Sequence, residues 1–78
     1  MALYFFNLGD GDQIADEEGQ EFATLAEARL EAVRSARSIM REEILQGTLS
    51  LRESIHILDA NGDRLETVYF RDAVKIEE

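Results

Sequence analysis

The chain contains no cysteine, no proline and no tryptophan, and it has a single histidine among its 78 residues. Without cysteine, neither disulfides nor thiolate metal sites can staple the fold. The absence of proline removes any proline-rich linker, so nothing marks a domain boundary, and residues 1–78 read as one domain. Long uncharged apolar runs are also missing, because arginines and glutamates punctuate the longest helical stretch, which argues against a membrane span. No charged segment followed by an apolar one opens the chain, so a cytoplasmic location is the expectation. Cations are scarce as well: 8 Lys and Arg stand against 17 Asp and Glu, a formal net charge of −9. Such a balance opposes attraction to a phosphate backbone, so nucleic acid is not an expected partner.

The chain nevertheless has the means to fold. Its apolar content is 45%, and the apolar residues recur in periodic runs. A domain of this size buries only about 60% of its unfolded surface, so its stability is expected to be a few kcal/mol.

Leu3 to Leu8 reads as a strand, with Tyr4, Phe6 and Leu8 on the core face and Phe5 partly exposed. Gly9 to Asp12 then turns the chain. A second, interrupted strand is expected through Gln13-Ile14-Ala15 and again through Gln20-Glu21-Phe22, giving an irregular hairpin. Thr24-Leu25-Ala26-Glu27 is a capping box that opens a helix, and Gly47 supplies its stop, a span of about 23 residues. At 100° per residue, Leu25, Ala28, Ala32, Val33, Ala36, Ile39, Met40 and Ile44 form one apolar arc. A helix that long should overhang strands of ordinary length, leaving Ile44, Leu45 and Leu49 at the overhang. Beyond it, Ser54 to Leu58 and Leu65 to Phe70 flank Asn61-Gly62, a strong hairpin signal in which both residues tolerate the left-handed region. Ala73, Val74 and Ile76 are expected to pack back on the core. The predicted fold is α+β, in the order hairpin, helix, hairpin (ββαββ), with the helix on antiparallel sheet.

Chemistry-bearing patterns are sparse. Asp10, Asp12 and Glu21 match the first, third and twelfth places of a calcium loop, but Ile14 and Ala15 break the pattern. Asp59, Asn61 and Asp63 begin another, which Arg64 and Phe70 break. His56 has no second ligand of its kind, so no metal or other cofactor is expected. No nucleophile elbow, phosphate loop or dinucleotide fingerprint is present, so no catalytic residue is assigned. Asp16, Glu17 and Glu18 precede the helix, where carboxylates complement its dipole. Arg29 falls inside the apolar arc and must snorkel or pair, and an ion pair with the Asp16 to Glu18 segment is expected. Arg34, Arg37 and Arg41 form a basic stripe on the opposite side, which with Ile44 and Leu45 is the leading interaction surface.

Tyr4-Phe5-Phe6, Asp10-Gly11, Asp16-Glu17-Glu18-Gly19, Ala28-Arg29 and Glu31-Ala32 resemble a family of short bacterial proteins common in rhizobia and their relatives. The likeness continues through Asp59, Asn61-Gly62, Leu65, Val68, Phe70 and Asp72-Ala73-Val74. The family is catalogued as domain of unknown function 6894. The resemblance implies an alphaproteobacterial, cytoplasmic source, and it carries no activity and no functional residue. Two functions stand side by side on this reading. One is a non-catalytic interaction module that binds itself or another protein. The other is a small ligand-binding protein or hydrolase using the Asp10 to Glu18 carboxylates with Arg29.

Overall fold

The computed structural model describes residues 1–9, 13–14 and 18–77. Its elements are strand β1 (Ala2–Leu8), the short strands β2 (Gln13–Ile14) and β3 (Gln20–Phe22), helix α1 (Leu25–Leu45), strands β4 (Ser54–Leu58) and β5 (Arg64–Tyr69), and a 3-10 turn at Phe70–Asp72. The chain is thus α+β, with hairpins on either side of one long helix.

All strand pairs are antiparallel, and the sheet runs β2-β1-β4-β5, with β3 also against β1. Each hairpin therefore contributes its first strand to the middle of the sheet. β3 pairs Ala2 to Tyr4, β2 pairs Asn7 and Leu8, and the two registers differ, so the second arm of this hairpin is irregular. Phe5 to Leu8 meet Leu58 to Ile55 of β4 on the other side.

The helix starts where its capping chemistry places it. The Glu27 amide donates to Thr24 Oγ1 at 3.1 Å, and Glu27 Oε2 accepts from the amide of Ala23, one residue before the cap, at 3.1 Å. α1 ends at Leu45 with Gln46 as its C-cap, and Gly47 follows at φ +89°, a conformation that favours glycine.

Ala28, Ala32 and Ala36 have no exposed surface, and Met40 has 3%. Their small side chains let the helix lie close against Tyr4 and Phe6 of β1, Ile55 and Ile57 of β4 and Val68 of β5. Phe22 stands 6.1 Å from the rings of both Tyr4 and Phe6, closing the core at the β3 end. At 1.5 Å per residue the 21 residues of α1 span about 31 Å, more than the strands reach. Ile44 belongs to the apolar arc by angle but is 60% exposed, because the helix has passed the sheet there.

Three details differ from the sequence reading. Phe70, expected at the end of a strand, opens the 3-10 turn and is fully buried, its amide donating to Glu53 O at 2.9 Å. Of the residues expected to pack back, Ala73 is 2% exposed, while Val74 and Ile76 are 36% and 62% exposed. In the β4–β5 turn only Gly62 takes positive φ. The turn is built by Asp59, whose carbonyl accepts from the Gly62 amide at 3.0 Å and whose Oδ1 accepts from the amides of Asn61 and Asp63.

Candidate functional site

Along the outward side of α1, away from the buried alanines, the three-and-four spacing of Arg34, Arg37 and Arg41 gathers the three arginines into one stripe, continued by Leu45, with Ile44 of the apolar arc at its edge. The Arg34 side chain is 77% exposed and lies 4.0 Å from Glu31, one turn back. That of Arg41 is 72% exposed and donates to its neighbour Glu42 at 3.1 Å. Exposed pairs of this kind contribute little to stability, so both guanidinium groups remain open to exchange of partner. Arg37 is used differently: its Nε donates to the carbonyl of Ala73 at 2.7 Å in a part-buried contact, tying the C-terminal turn to the helix. Leu45 is 73% exposed, and Leu30, which the sequence reading passed over, is 60% exposed one turn before Arg34. At 100° per residue Leu30 falls among the arginines, a position that its apolar character alone did not reveal. The result is a cationic strip with apolar residues at both ends.

Arg29 finds a carboxylate, and that carboxylate is Glu66 of β5, at 2.8 Å from its Nε. The pair clamps the first helical turns to the outer strand. Asp16 and Glu17, with which an ion pair was expected, lie outside the described residues, and so do Asp10 and Asp12. Glu18 and Glu21 are exposed.

A second constellation was not anticipated from the sequence. Asn7, His56 and Thr67 stand in register across β1, β4 and β5, on the sheet face away from α1. His56 is 7% exposed, and its Nδ1 lies 2.8 Å from Thr67 Oγ1. Asn7 Oδ1 is buried and, among the described residues, has no hydrogen-bond partner. Alternation marked only one face of β4 as apolar, but its central place in the sheet shields Ser54 and His56 on the other face as well.

Among the described residues no group of three or more His, Asp or Glu side chains is placed to hold a metal ion. Asp59, which begins one of the calcium-like patterns, has its Oδ1 engaged by two backbone amides. No described helix is long and apolar enough to cross a membrane.

The family model described as "Domain of unknown function (DUF6894)" matches residues 3–71, nearly the whole chain. The chain belongs to this family. Its matched span runs from Leu3 in β1 to Arg71 in the 3-10 turn, so the DUF6894 match takes in both hairpins, the helix with its arginine stripe, and the Asn7–His56–Thr67 row. No curated protein and no solved structure matches the chain.

Proposed function

We propose that this protein is a non-catalytic interaction module of the bacterial cytoplasm that associates with itself, and that the outward side of α1 is the surface it uses. The observation that carries the reading is the exposure of Ile44 and Leu45, 60% and 73%, beside the arginine stripe. A small fold with little core has reason to cover such residues, and a second copy brings the complementary charge. Seven carboxylates, from Asp10 to Glu27, precede the first cation of the chain at Arg29, while Arg29 to Arg41 carries four arginines and a single glutamate. Sign is therefore segregated along the sequence, and a basic strip on one copy meets acidic segments on another.

Sedimentation velocity at micromolar concentration tests this. The expected outcome is a concentration-dependent rise in sedimentation coefficient, which weakens with added salt and is lost in Arg34→Glu/Arg41→Glu. A wild-type chain that stays monomeric throughout, in low salt as well, refutes the proposal. The ligand-binding or hydrolytic alternative needs Arg29 beside carboxylates of which Asp10, Asp12, Asp16 and Glu17 lie outside the described residues, and the carboxylate that meets Arg29 in the structure is Glu66.

A further inference from the structure

Going beyond that reading, we propose that the free edge of β5 is a second interface, where the same strand of another copy joins the sheet in antiparallel pairing centred on Val68. β5 is an outer strand of 6 residues without proline or lysine, whereas β2 and β3, outside β1, have only 2 and 3 residues. The direction of its free backbone groups follows from the ladder. The Phe70 amide donates to Glu53 O at 2.9 Å, so Glu53 and Phe70 form a bonded pair, and the register carries the same pattern to Ile55 with Val68 and Ile57 with Glu66. Thr67 and Tyr69 therefore turn their N–H and C=O groups away from β4, and no described strand lies beyond them.

The register is set by what each alternative brings together. Pairing centred on Glu66 would oppose two like charges, and pairing centred on Tyr69 would run into the 3-10 turn. Pairing centred on Thr67 would need Leu65, which the register shift between Ile57 and Leu58 leaves outside the regular ladder. Centred on Val68, Thr67 of each copy exchanges both backbone bonds with Tyr69 of the other, and the 45% exposed Tyr69 ring lies beside that threonine. The charges favour the same register. Arg64 and Asp72 stand four positions to either side of Val68, both are exposed, and neither has an ion-pair partner among the described residues. Arg64 of one copy is thereby set beside Asp72 of the other, twice over by symmetry. An edge contact of this size buries little surface, so it forms only well above micromolar concentration and adds to the α1 contact rather than replacing it.

NMR of Arg34→Glu/Arg41→Glu, in which the helix surface is silenced, tests the edge from micromolar to millimolar concentration. The Thr67 and Tyr69 amide resonances are expected to move with concentration, and isotope-filtered spectra of mixed labelled and unlabelled chains should show a contact between the Val68 Hα atoms of two copies. Arg64→Asp and Asp72→Arg, added singly, should each weaken the association about tenfold, because exposed attractions become repulsions, and the Arg64→Asp/Asp72→Arg exchange should restore it. Thr67 and Tyr69 amides that stay unmoved up to millimolar concentration overturn the proposal, and so does association that neither single reversal weakens. Either failure leaves the micromolar association of the wild type through α1 untouched, and a wild type that is monomeric at micromolar concentration leaves the edge contact untouched in turn.

Discussion

Phe70→Ala tests how much of the fold depends on the 3-10 turn. Phe70 has no exposed surface and joins the core formed by Ile55, Ile57, Val68 and the helix alanines. Truncating a buried phenylalanine costs about 3–5 kcal/mol, counting both the lost transfer energy and the cavity. At roughly 0.05–0.15 kcal/mol per residue, the whole chain has about 4–12 kcal/mol to lose, and its small size places it towards the lower end. The variant should therefore be largely or wholly unfolded in dilute buffer, whereas Phe70→Leu, which keeps most of the volume, should cost about 1–2 kcal/mol. Urea titration followed by far-ultraviolet circular dichroism gives both values. The turn also presents the Ala73 carbonyl to Arg37, so a Phe70→Leu/Arg37→Gln pair should cost less than the sum of the two single changes. A loss below about 1 kcal/mol for Phe70→Ala, with an unchanged denaturant slope, would refute the claim that this ring closes the core.

Thr24→Ala removes the oxygen that accepts from the Glu27 amide, and about 1 kcal/mol of stability should go with it in the same titration. Gly19 sits at φ +75°, and a Cβ there would come within 2.9 Å of the Phe5 ring and 3.1 Å of Leu3 Cγ. Gly19→Ala is accordingly expected to cost about 1–2 kcal/mol, with a shifted Phe5 ring resonance as its spectroscopic sign. Thr67→Val keeps the β-branched shape but leaves the His56 Nδ1 without its partner, for an expected loss of about 1–2 kcal/mol by thermal or urea unfolding.

The parts of this fold that could be read from sequence are those whose cause is local. A capping box, an apolar arc and a glycine stop delimit α1 because each acts within one or two helical turns. Alternation placed Tyr4 and Phe6 on the buried face of β1, and Asn61-Gly62 marked the second hairpin. Even there the fine geometry escaped, since the Asp59 side chain organises the turn and Asn61 stays out of the left-handed region. What could not be read depends on distant partners. Arg29 and Glu66 are 37 residues apart, so helix angles could show that Arg29 needed an anion without pointing to Glu66. His56 looked like an ordinary mid-strand residue, because nothing in its neighbourhood tells that β1 and β5 flank β4 on both sides. Phe70 followed a β-favouring run, and its amide still bonds to Glu53 in the β4–β5 register, but the Ala73 amide donating back to the Phe70 carbonyl turns the chain there.

Pairing β1 with β4 brings Leu8 against Ile55 and Phe5 against Leu58, joining segments about 50 residues apart. Closing a loop of that length costs about 3.5 kcal/mol beyond a constant term. Neither hairpin can recover that cost alone, because two-stranded ribbons are marginal in water. Assembly therefore waits for α1 to carry the two halves together, and a cut in the connection at Thr48 should yield fragments that are unstructured apart and regain the native sheet when mixed.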